Sequence, residues 1–137
     1  MVEASPAGRP RPLSPHLLQW RWHVTMAASI LNRATGVALY AGWIVLAGLA
    51  LALASGPDAY RAYGALLASI PGRIVLFGIA FSLFFHLAAG VRHLFWDFGK
   101  GFKPRLADTS AIAAMVFAAI ASVAIVVIAS LPQGSLA

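Results

Sequence analysis

Chemistry-bearing residues gather in one stretch of this sequence, His86-x-x-x-Gly90-x-Arg92-His93-x-x-x-Asp97, at the end of an otherwise uncharged apolar run. On a helix turning about 100° per residue, Gly90, His93 and Asp97 return to within roughly 40° of the His86 direction, while Arg92 points elsewhere. Between Arg73 and Arg92 the only ionisable residue is His86, which lies about 9 Å inward of Arg92 along the axis. A neutral imidazole at that depth offers one ring nitrogen to a metal, and a glycine one turn away leaves room for a flat macrocycle, so the stripe points to haem ligation. A simpler reading stays open, in which His86 only hydrogen-bonds a neighbouring helix, Arg92 snorkels to lipid phosphate and Trp96 rests among headgroups.

A second constellation reads Ser29-Ile30-Leu31-Asn32-Arg33-Ala34-Thr35-Gly36. Ser29 and Arg33 are spaced to share a helix face, and a hydroxyl beside a guanidinium suits a carbonyl-bearing, lipid-soluble ligand such as a quinone. The alternative is an arginine contacting lipid phosphate and a serine bonding back to its own helix.

These residues must be positioned by membrane helices. Hydrophobic residues make up 61% and charged residues 10% of 137, a balance with too little polar surface to cover a small soluble domain. Uncharged runs from Ala34 to Pro57, Ile74 to Val91 and Ala111 to Leu131 are long enough to span about 30 Å of hydrocarbon. The expectation is an all-α membrane protein with three transmembrane helices in a single membrane-anchor domain, 1–137. Residues 1–27 would form a retained, extended and interfacial segment, and the spans would lie at roughly 28–55, 72–97 and 110–131. Ser55-Gly56-Pro57-Asp58 ends the first, Pro71-Gly72 opens the second, and Phe98 to Pro104 breaks it, with Asp108, Thr109 or Ser110 capping the third. Ala114, Ala118 and Ser122 form a small-residue seam suited to close helix packing.

The net charge of +6 is distributed as a topology signal, not as a nucleic-acid footprint. Arg9, Arg11 and Arg21 precede the first span, and Lys100, Lys103 and Arg105 follow the second. The positive-inside rule then places the N-terminus in the cytoplasm and the C-terminus in the periplasm of a bacterial inner membrane. The absence of cysteine excludes thiolate-ligated haem and iron–sulfur ligation by this chain. No Asp or Glu falls within the three uncharged runs, which argues against a transporter built on a carboxylate proton relay.

Arg11-Pro12-Leu13-Ser14-Pro15-His16, the Ser29 to Gly36 segment and the His86 to Asp97 motif, in that order, closely resemble the cytochrome b subunits of succinate dehydrogenase. The resemblance implies one of two membrane anchors of a succinate:quinone oxidoreductase, acting in respiratory electron transport and the tricarboxylic acid cycle. It implies that His86 is the axial ligand of haem b, that Ser29 and Arg33 bind quinone, and that the partners are a second membrane-anchor subunit, an iron–sulfur subunit and a flavoprotein subunit. Family members often carry histidine where this chain has Asn32, at a position associated with a haem propionate. His86 and His93 are about 10.5 Å apart along one helix, too far to ligate one iron from both sides; in the family the second ligand is a histidine of the other anchor. The haem would be shared, and this chain would perform no succinate chemistry itself. A cytochrome serving fumarate reductase, hydrogenase or formate dehydrogenase, and a non-redox transporter or assembly protein, are the alternatives.

Overall fold

A computed structural model describes residues 21–130, and these fold into four helices: α1 (Val24–Ala54), α2 (Pro57–Ala68), α3 (Ile70–Asp97) and α4 (Pro104–Ser130). The extended segment expected over residues 1–20 lies outside the described residues. By length and composition α1, α3 and α4 are candidate membrane spans. They pack as an up-down-up bundle, so the start of α1, the end of α3 and the start of α4 meet at one end, termed the basic end here for Lys100, Lys103 and Arg105.

The helix boundaries have local causes. The ring of His23 caps α1 by accepting from Thr25 N, and Gly56, at φ 109°, takes the chain out of that helix. Pro57 then starts α2, where its missing N–H costs nothing. Ser69 caps α3 by accepting from Gly72 N. At the other end of α3, Gly99 N reaches Trp96 O and Lys100 N reaches Phe95 O, a helix-ending pattern that uses the positive φ of Gly99, 72°.

Two elements differ from the sequence reading. The expected first loop contains α2, which folds back on the bundle so that Tyr63 Oη donates to Val45 O at 2.9 Å. Gly48 makes room for that ring, since a Cβ there would lie 2.6 Å from the Tyr63 hydroxyl. Helix α4 begins at Pro104, so Asp108, Thr109 and Ser110 lie inside it and do not cap it. Thr109 Oγ1 instead donates back to Arg105 O, and Asp108 becomes a carboxylate within a candidate span.

The core lies between α1, α3 and α4 and is made largely of small residues around one aromatic: Ala28, Phe85, Ala89, Ala111, Ala114 and Ala118. The seam residues Ala114, Ala118 and Ser122 are all buried, and Ser122 Oγ satisfies itself on Ala118 O. Small side chains let the backbones approach where lipid provides no hydrophobic drive. Most large apolar residues, Val37, Trp43 and Ile120 among them, face outward, as expected of surface presented to lipid or to other subunits.

Candidate functional site

Helix α3 turns His86 toward α1. There His86 Nδ1 lies 3.2 Å from the backbone oxygen of Asn32 and 3.4 Å from Thr35 Oγ1. A carbonyl only accepts, so the proton of the neutral ring is on Nδ1 and Nε2 carries the lone pair. Thr35, almost completely buried, donates its own hydroxyl proton to the same Asn32 oxygen at 3.0 Å. Gly36 leaves room for the approach: a Cβ there would just reach van der Waals contact with His86 Cε1, at 3.4 Å, and anything larger would press on the ring. Ring orientation and tautomer are thus fixed by the α1 backbone, the kind of outer support that holds a metal-binding histidine in place.

This arrangement fits haem. Among the described residues His86 Nε2 has no hydrogen-bond partner and is not sealed in the interior. Gly90 keeps the surface one turn away open, with nothing within 4 Å of the position a Cβ would take. Beside Thr35, an apolar groove of about 420 Å³ that His86 itself does not line runs between α1 and α3, floored by small residues such as Ala34, Ala38, Gly42 and Gly78. Among the described residues no three His, Cys, Asp or Glu side chains gather to hold a bare ion. A single imidazole with a nitrogen free of hydrogen bonds among the described residues suits a metal that brings most of its own ligands.

Near the basic end, a cleft of about 180 Å³ between α1, α3 and α4 is lined by Thr25, Ser29, Asn32, Arg92, His93 and Trp96, among others. Ser29 is exposed and, among the described residues, makes no side-chain hydrogen bond. It differs in this from Ser82, Ser122 and Ser130, which all bond back to their own helices. Arg33 is also exposed and without a side-chain partner among the described residues, but it does not line the cleft. The two expected ligand residues therefore stand on one helix without sharing a cavity.

Arg92 does not reach out toward lipid. Its Nε donates to Ser110 Oγ at 2.9 Å, its Nη2 to Ala107 O at 3.0 Å, and its guanidinium lies 4.1 Å from the centre of the Trp96 ring. Trp96 in turn stacks on Phe102 and donates to Gly101 O, so the arginine clasps α3 to α4 and forms one wall of the cleft. His93 is exposed, its ring edge-on to Trp96, and Asp97 is exposed at the end of α3. The sequence reading missed Thr25, Thr35, Gly36 and the Asn32 carbonyl. Thr35 and Gly36 stood in the Ser29 to Gly36 segment, but their role depends on which helix receives His86, and one helix's periodicity does not show that.

A family model described as "Succinate dehydrogenase/Fumarate reductase transmembrane subunit" matches residues 8–127. The mitochondrial succinate dehydrogenase cytochrome b560 subunit of Sus scrofa is 39% identical over 121 residues, covering 85% of this chain and 70% of that protein. The succinate dehydrogenase cytochrome b556 subunit of Paracoccus denitrificans is 39% identical over 100 residues, covering 73% of this chain and 77% of its own length. The cytochrome b556 subunit of Rickettsia felis is 38% identical over 93 residues, 68% of this chain and 72% of that protein.

Proposed function

We propose, from the premise that this chain belongs to the succinate dehydrogenase/fumarate reductase transmembrane-subunit family, that His86 is its haem b ligand and that Ser29 and Arg33 serve its quinone site. The chain is a cytochrome b membrane anchor subunit of succinate dehydrogenase and a multi-pass membrane protein. The observation that carries the haem assignment is the hydrogen bond from His86 Nδ1 to Asn32 O, which leaves Nε2 free for iron.

Haem supplies one-electron storage and transfer when bound. His86 would hold it: Asn32 O and Thr35 fix the imidazole, Gly36 admits it, and Gly90 keeps the neighbouring surface open. His93 lies too far along the same helix to join His86 at one iron, so a further protein ligand would come from a second anchor subunit, which would then share the haem. The soluble partners are an iron–sulfur subunit and a flavoprotein, which oxidise succinate and send electrons to quinone.

Ser29 and Arg33 donate hydrogen bonds to the quinone oxygens, and these strengthen as negative charge builds there. The free hydroxyl of Ser29 in the cleft favours this role over back-bonding to its helix. Arg33 reaches the same ligand from outside the cleft, where a second anchor subunit would complete the wall. The basic end faces the cytoplasm by the distribution of Lys and Arg, with the C-terminus in the periplasm of a bacterial inner membrane.

The haem assignment is tested in the purified complex. His86→Ala should lose or convert the low-spin b-type optical spectrum, and His93→Ala should keep it. An unchanged spectrum in the His86 variant rejects the assignment.

A further inference from the structure

His23 stands one residue before α1 and is bound to its first turn twice, with Nδ1 2.8 Å from Thr25 Oγ1 and 3.4 Å from Thr25 N. The backbone amide can only donate, so Nδ1 accepts and the proton of the neutral ring is on Nε2. That nitrogen faces Asp108 Oδ1 of α4 at 3.5 Å. The Asp108 oxygen is shielded from solvent and accepts no hydrogen bond, which makes the imidazole its nearest compensating group. The His23 side chain itself is 58% exposed, so water reaches it. Thr25, on the other side of the ring, lines the same cleft as Ser29 one helical turn on. One hydroxyl thus separates a water-exposed imidazole from the cleft.

We propose that His23, relaying through the Thr25 hydroxyl, delivers one of the two protons consumed when quinone is reduced in this cleft, a role that rests on the assignment of quinone to Ser29 and Arg33. Quinone becomes quinol by taking two electrons, supplied by succinate through the iron–sulfur partner, and two protons. In the relay step the Thr25 O–H bond breaks toward the reduced quinone oxygen while the Nδ1–H of the charged His23 ring transfers to Thr25 Oγ1. The ring is left neutral with its proton on Nε2, as in the structure, and water recharges it at Nδ1. The other proton comes from solvent by a separate path. Among the described residues, the charged groups packed toward this pair are Asp108 from α4, which offsets the imidazolium, and Arg92 from α3, which interacts electrostatically with Asp108.

Whole complex reduced by succinate provides the test. His23→Asn keeps a good helix cap but cannot pass on a proton, and Thr25→Val removes the hydroxyl. Each should lower kcat for quinone reduction about tenfold or more, with KM for quinone and electron transfer to an artificial acceptor on the soluble subunits unchanged. The pH profile of quinone reduction should change in His23→Asn, and Thr25→Ser should restore what Thr25→Val loses. An intact haem spectrum certifies assembly in every variant. Wild-type rate and pH profile in His23→Asn, a loss confined to KM, or a pH step that disappears in His93→Ala but not in His23→Asn would each overturn the relay. If Ser29→Ala and Arg33→Leu are impaired while His23→Asn is not, the relay alone fails. If those two variants also reduce quinone at the wild-type rate, the quinone assignment fails and the relay falls with it.

Discussion

Enlarging Gly36 should dislodge His86 in a graded way. A Cβ at this position would lie 3.4 Å from His86 Cε1 and 3.9 Å from Nδ1, ordinary van der Waals contact, so Gly36→Ala should leave the ring in place and the haem content near that of the wild type. Valine adds two methyl groups beyond that Cβ, and its stiff χ1 gives them little freedom to turn away. The ring must then retreat and release the Asn32 oxygen. Overpacking of this kind costs about 1–3 kcal/mol, and the lost hydrogen bond adds about 1 kcal/mol. The total of about 2–4 kcal/mol corresponds to roughly 30- to 900-fold weaker retention of haem. The assay is the ratio of low-spin haem b to total protein in purified complex, followed during dilution or mild heating. If Gly36→Val binds haem as firmly as Gly36→Ala, the contact between α1 and the imidazole does not support the ligand, and the reasoning is refuted.

Ser29→Ala and Arg33→Leu should each slow succinate-driven quinone reduction by roughly 5- to 150-fold, the equivalent of about 1–3 kcal/mol for an unreplaced donor. Reduction of an artificial acceptor by the soluble subunits should persist, and normal quinone turnover in both variants would return these residues to the role of lipid anchors. Arg92→Lys should behave as a non-conservative change, because an ammonium cannot serve Ser110, Ala107 and the Trp96 face together. We expect a loss of about 1–3 kcal/mol, read as a lower thermal midpoint for haem release, and an unchanged midpoint would count against the clasp. A reporter fused after Ala137 should signal a periplasmic location, and a cytoplasmic signal would reverse the orientation.

The long apolar runs made α1, α3 and α4 legible in the sequence, since a chain of this composition has few other ways to satisfy its backbone in lipid. Helix α2 was hidden because twelve residues with a partly polar surface, Asp58 and Arg61 included, resemble an inter-span loop. The start of α4 was misplaced because Pro104 reads equally well as the end of a loop and as the first residue of a helix. His86 and Ser29 stood out by residue type. Their surroundings did not, because the atom that orients His86 is a main-chain oxygen of another helix. His23 read only as part of an interfacial segment, since its link to Asp108 spans α1 and α4.

The sequence distances across the bundle also carry an order of events in biogenesis. The clasp of Arg92 on Ala107 and Ser110 closes over 15 and 18 residues, whereas His86 meets Asn32 and Thr35 across 54 and 51. Shorter loops lose less entropy on closure, so the α3–α4 hairpin is the natural first unit to settle after membrane insertion. The first helix then docks against a hairpin already built, and only with that docking does His86 acquire its acceptor and its tautomer. The cytochrome pocket is therefore a late product of folding, and a chain stalled before α1 docks would be inserted in the bilayer yet unready for its cofactor.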